Sequence, residues 1–170
     1  MKPAVMISVE EYLATGFRPD AEYLEGSILE RNLGEYDHSR CQGRVFALLF
    51  SQEARWRIRV LPEQRVQVRS NRFRVPDICA VRAESPIEQI ITTPPFLCIE
   101  ILSRDDTMSQ MQERIDDYLA MGVPYVWVLD PRRRTAMAYS GVAMREAGPD
   151  GVLRTVRPDI EVPLKEIFES

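Results

Sequence analysis

Lysine is almost missing from this chain: of its 22 basic residues only Lys2 and Lys165 are lysines, and histidine occurs once, at His38. Cysteine is scarce too. Cys41, Cys79 and Cys98 are odd in number and none stands in a C-x-x-C spacing, which argues against a structural zinc site. Cys79 and Cys98 fall within strand-like runs, where a free thiol behaves as a small apolar group. No apolar run approaches the roughly 18 residues a membrane span needs. The opening MKPAVMISVEEYLATG lacks the basic-then-apolar layout of a secretion signal and turns acidic by Glu10. The expectation is a cytoplasmic protein with no membrane association. No internal repeat or low-complexity segment stands out.

What is present is ordinary for a globular chain. A length of 170 residues with 45% hydrophobic and 28% charged residues suits one domain over 1–170 with a sizeable core. The net charge of −4 weighs against a general nucleic-acid binder. Its distribution says more than its sum. Residues 1–37 hold eight acids against three bases, whereas residues 55–74 hold seven arginines and a single acid, Glu63. Arginine suits planar, bidentate contact with phosphate or carboxylate, but an arginine-rich strand face is more often simply solvated.

Periodicity places the elements. SVEEYLAT reads as a short helix capped by Ser8, with Glu11 at the spacing of a capping box. AEYLEGSILERN alternates as a hairpin around Gly26, and His38 to about Trp56 has helical spacing at Val45, Leu48, Leu49 and Gln52. Strands are expected in RIRVLPEQ, RVQVRSN and RFRVPDICAV, with Pro76 suiting a strand start or edge. FLCIEIL reads as a central strand covered on both faces. The next helix is expected to be capped by Asp105 or Asp106, to bury Met108, Met111, Ile115 and Leu119, and to end at Gly122. VPYVWVLD then returns as a strand, and TAMAYSG and GVLRTVRP as late hairpin strands. The order implies an α/β (α+β) domain: a mixed β-sheet with an antiparallel meander, flanked by helices.

Two residues do not fit their surroundings. Asp77 stands alone in the apolar run RVPDICAV, and Glu100 stands alone in FLCIEIL. A carboxylate taken out of water is costly unless a partner or a metal holds it. Alternation puts Asp77 on a face with Val75, Cys79 and Val81, and Glu100 on a face with Phe96, Cys98 and Leu102. If the strands are neighbours the two acids converge, and like charges that close repel unless a divalent cation lies between them. Oxygen ligands of this kind suit Mg²⁺ or Mn²⁺. Plainer readings stay open: an acid facing solvent at an edge, or one paired with a buried arginine.

AEYLEG, His38 opening a helix, RVPDICAV, FLCIEILS and YLAMGVPYVWVLDP together resemble the Uma-type restriction-endonuclease family, within the PD-(D/E)XK nuclease superfamily. The likeness runs from about Tyr12 to Pro131. It implies a restriction-endonuclease-like core and a Mg²⁺- or Mn²⁺-dependent endonuclease acting on DNA. By the same resemblance Asp77 and Glu100 ligate the metal, Glu22 completes its shell, and His38 positions the phosphate or a water. Leu102 stands where the wider superfamily has lysine, and its backbone carbonyl could still reach the metal. Arg114 matches a helix lysine of the Uma type; it can balance phosphate charge but stays protonated, so it transfers protons poorly. A salt bridge from Arg114 to Asp117 or Glu113 is the alternative. A homodimer would let two sites reach both strands. Two other functions stay open: a nuclease-fold module that binds nucleic acid or protein without turnover, and a hydrolase of small phosphate esters. Tyr118 and Trp127 are expected in the core, and Arg132, Arg133 and Arg134 in a solvated turn.

Overall fold

The computed structural model describes residues 6–18, 20–32 and 34–168. Helix α1 (Val9–Ala14) starts at Ser8, whose Oγ accepts the Glu11 N–H at 3.1 Å and so satisfies a donor the helix leaves unpaired. Strands β1 (Ala21–Leu24) and β2 (Ser27–Glu30) form the expected hairpin. Its two-residue turn has Glu25 at φ 52° and Gly26 at φ 100°, the left-handed pair that matches strand twist. Helix α2 (Tyr36–Ser51) begins before His38 and gives way to a separate short helix α3 (Glu53–Trp56).

The strand expected over RFRVPDICAV is two strands in two sheets. β5 (Arg72–Arg74) joins β2, β1 and β4 (Val66–Arg69) in a four-stranded sheet of order β2-β1-β5-β4. After the break at residues 75–77, β6 (Ile78–Arg82) pairs with β3 (Ile58–Pro62) and β7 (Leu97–Ile101). Pro76 brings no N–H to a ladder, so the chain changes sheets where no backbone bond is sacrificed at that residue. Asp77 therefore sits at a junction, not within a strand.

Helix α4 (Met108–Met121) carries the chain from β7 to the parallel strand β8 (Tyr125–Asp130), with Glu100 opposite Val128. Its cap is Thr107, not Asp105 or Asp106: Thr107 Oγ1 accepts the Gln110 N–H and the Gln110 side chain returns to the Thr107 N–H. Gly122 ends the helix at φ 102° as expected. Met108 is exposed, which removes it from the apolar stripe, while Met111 and Ile115 are buried. β9 (Thr135–Ser140) turns at Gly141 into β10 (Ala143–Ala147), completing a six-stranded sheet of order β10-β9-β8-β7-β6-β3. The late hairpin expected between TAMAYSG and GVLRTVRP is thus replaced by two: β9 with β10, and β11 (Val152–Arg154) with β12 (Glu161–Pro163), followed by α5 (Leu164–Phe168).

Alternation along β6 and β7 sorts the core. Ile78, Ala80, Ile99 and Ile101 pack against Cys41, Val45 and Leu49 of α2 and against Val162 and Leu164. Cys79, Cys98, Val126 and Val128 pack against Met111, Ile115 and Tyr118 of α4. Each buried Val, Leu, Ile and Met among these contributes roughly 1.5–3 kcal/mol of apolar burial. Cys79 and Cys98 face one another in register and, with Cys41, are free, buried thiols. Among the described residues no helix is long and apolar enough to cross a membrane.

Candidate active site at the junction of the two sheets

The antiparallel register of β6 and β7 pairs Ile78 with Ile99, so Asp77 and Glu100 come next, opposite one another, where the ladder opens. Both are buried. They line a cavity of about 120 Å³ together with Glu22 from β1, His38 and Gln42 from α2, and Arg114 from α4. Elements far apart in the chain converge there because the two sheets meet at the 75–77 break.

Each acid is held by specific donors. Asp77 Oδ2 accepts the Ile101 N–H at 2.7 Å and lies 3.3 Å from His38 Nε2, while Oδ1 takes a close contact from Arg31 Nη2. Glu100 Oε1 accepts the Tyr118 hydroxyl at 2.5 Å, and Oε2 faces Arg114 Nη1 at 3.9 Å. Glu22 accepts from Arg74 Nη1 at 2.7 Å and from the Val75 N–H at 3.2 Å, with Arg114 Nε 3.7 Å away. Arg114 makes its shortest ion pair with Asp106, at 3.2 Å. Asp106 in turn accepts the Ser103 N–H and hydroxyl, both at 2.8 Å, which is why it is not free to cap α4.

The charges are tuned by this crowding. Burial pushes the Glu100 carboxyl up to about 8, with the nearby Asp77 charge adding to the rise and Arg114 opposing it. For His38, burial disfavours the cation, yet the hydrogen bond and charge of Asp77 outweigh it and raise the pKa. Burial likewise opposes the Arg114 charge, but Glu100, Glu22 and Asp106 more than offset it, so the guanidinium stays charged.

A model of the Uma2 family, described as "Putative restriction endonuclease", matches residues 9–163. The chain belongs to the Uma2 family. Among solved structures it is similar to a crystal structure described as a putative nuclease from Anabaena variabilis. That likeness has a TM-score of 0.84 at 23% identity and covers 95% of this chain and 97% of the other. No curated protein matches the sequence. The Uma2 chain thus has the mixed α/β fold of that structure.

Of the residues singled out by sequence, Asp77, Glu100, Glu22, His38 and Arg114 line this one cavity. Leu102 does not: its side chain lies with the apolar cluster under α4, and Ile101 forms the wall instead. Arg114 does not bridge Asp117 or Glu113, because Arg72 and Arg74 take both. Tyr118 and Trp127 are in the core, and Arg132, Arg133 and Arg134 are exposed in a turn, the first two donating backbone N–H groups to Asp130. Sequence reasoning missed Arg31, Arg74 and Asp106. Arg72 and Arg74 also depart from the expected solvated face: both are buried, with Arg74 held between Glu22 and Asp117.

Among the described residues no three His, Cys, Asp or Glu side chains form a ready cation cage. The donor chemistry nonetheless suits a hard divalent ion: five carboxylates, Glu22, Glu63, Asp77, Glu100 and Asp106, line one cavity, and burial together with the charges of Asp77 and Glu22 raises the pKa of Glu100. Asp77 and Glu100, with Glu22 across the cavity, are the acids that would hold such an ion.

Proposed function

We propose that this Uma2 protein is an endonuclease that hydrolyses DNA phosphodiester bonds, with Mg²⁺ or Mn²⁺ bound by Asp77 and Glu100 and supported by Glu22. The observation that carries this reading is the facing pair Asp77 and Glu100, opening into one cavity beside the guanidinium of Arg114. When bound, the cation supplies Lewis-acid chemistry, lowering the pKa of water and neutralising phosphate charge. The chain supplies the rest. Asp77 is fixed for ligation by the Ile101 N–H, and Glu100 by the Tyr118 hydroxyl. Arg114, kept charged by its acids, stabilises the negative charge that grows on the phosphate oxygens. His38, at the cavity wall beside Asp77, orients the phosphate or a water by hydrogen bonding. The Leu102 side chain packs away from the cavity, so any part it has here is through its backbone carbonyl.

The alternative, a nuclease-fold module without turnover, draws on one observation: Arg31 already neutralises Asp77. Calorimetric titration with Mn²⁺ separates the two. The wild type is expected to bind, and Asp77→Ala combined with Glu100→Ala to lose binding. No heat of binding in the wild type would contradict the metal-site proposal and favour the module.

A further inference from the structure

Three guanidiniums stand against the acids of the cavity, and they are held in different ways. Arg74 is 1% exposed and wedged at 2.7 Å from both Glu22 and Asp117, as part of the core. Arg114 is mounted on α4 and anchored by Asp106. Arg31 comes from neither helix nor strand: it follows β2, with a side chain 16% exposed. Its Nη2 lies against Asp77 Oδ1, and its Nη1 reaches Glu63 at 3.3 Å. Glu63 is 47% exposed on the rim, and its N–H donates to the Asp77 carbonyl at 3.1 Å, so this second anion is fixed beside the first. Arg31 and Glu63 also line a larger neighbouring cavity of about 580 Å³, which gives the guanidinium room on the outer side.

We infer that Arg31 is a resident counter-cation of Asp77, that a divalent metal binds by displacing it, and that Glu63 receives the displaced guanidinium at the mouth. The inference rests on the metal-dependent reading above. Both oxygens of Asp77 are in use. The Ile101 N–H belongs to the backbone and cannot leave, and His38 is set in the first turn of α2. Of these three partners, Arg31 has a second carboxylate within reach, Glu63 at the cavity rim. Without a cation of some kind, Asp77 and Glu100 would face each other buried and unbalanced, a costly arrangement. Arg31 thus stabilises the metal-free fold and competes with the metal. Once displaced, it faces the outer cavity, where it meets a polyanion entering the site.

The test is Mn²⁺ binding to the full chain, read from the electron paramagnetic resonance signal of free Mn²⁺. The proteins compared are wild type, Arg31→Gln, Arg31→Lys and Arg104→Gln. Arg104 is an exposed arginine whose removal deletes the same charge without touching Asp77. Arg31→Gln is expected to bind Mn²⁺ on the order of tenfold more tightly, the effect of removing one close, partly shielded charge, with Arg104→Gln within about twofold of wild type. Arg31→Lys keeps the charge but cannot span both carboxylates, so it gives a smaller gain and serves if the glutamine variant does not fold. If wild type binds and neither Arg31 variant binds more tightly than Arg104→Gln, the counter-cation role is overturned while the metal site stands. If neither wild type nor any Arg31 variant binds, the metal reading fails and the inference falls with it.

Discussion

The hydroxyl of Tyr118 donates to Glu100 Oε1 at 2.5 Å, with both side chains buried under α4. The cavity acid is therefore anchored by the same helix that presents Arg114. The core face of α4 and its cavity face are coupled through one hydrogen bond.

That anchoring has a pH signature. The Glu100 carboxyl is raised from about 4.5 to about 8 by burial and by Asp77, so between those values the folded chain binds a proton the unfolded chain has released. Stability is then highest at the acid end of this window and falls as pH rises towards about 8. Glu100→Gln keeps an acceptor for Tyr118 and has no such slope. Its Tm is expected to exceed that of the metal-free wild type at pH 8 by about 3 °C or more, the shift of about 1 kcal/mol in a domain of this size. The gap should close towards pH 5. Thermal unfolding in EDTA across this range checks it, and a constant difference would contradict it.

Arg74 holds the four-stranded sheet to α4 by joining Glu22 to Asp117, at 2% and 3% exposure. Removing one member of a buried ionic cluster leaves the others uncompensated. Arg74→Met is expected to cost roughly 3–5 kcal/mol of stability. Urea unfolding reads this as a lower midpoint. A loss below about 1 kcal/mol would mean that Arg72, 2.9 Å from Asp117, carries the junction instead.

Arg114 stays charged and cannot pass a proton, but a lysine at the same place could do both. Arg114→Met is expected to lower Mn²⁺-dependent cleavage about a hundredfold, the usual effect of losing one donor at a site of developing charge. Arg114→Lys should retain or raise it. Initial rates on supercoiled plasmid distinguish these outcomes, and equal losses in both variants would remove Arg114 from the charge-balancing role.

Much of the site was legible from local pattern. Two lone acids in apolar runs, with alternation assigning their faces, allow Asp77 and Glu100 to converge if their strands are neighbours, and the β6–β7 pairing makes them so. Periodicity likewise marked α4 and its end at Gly122. What escaped was whatever depends on how sheets divide. Nothing in the alternation of RFRVPDICAV shows that its halves belong to different sheets, although Pro76 marks the place. Because the four-stranded sheet abuts α4, Arg72 and Arg74 became buried and not solvated. Thr107 could have been found, since T-x-x-Q is a capping pattern, but the acids just before it looked equally able to cap. Arg31 had no local signal: its partner is 46 residues away, across a contact only the fold creates.

The most direct measurement is cleavage of supercoiled plasmid by the wild type and by Asp77→Asn, each with Mg²⁺, with Mn²⁺ and with EDTA. The account predicts nicked and linear products with the wild type and either metal, and none with EDTA or with the variant. It also predicts that binding to duplex DNA weakens steeply as salt is added. Cleavage that persists in EDTA or in Asp77→Asn would contradict a metal-dependent site at Asp77 and Glu100. So would a wild type that binds Mn²⁺ and leaves DNA intact while it hydrolyses a small phosphate diester.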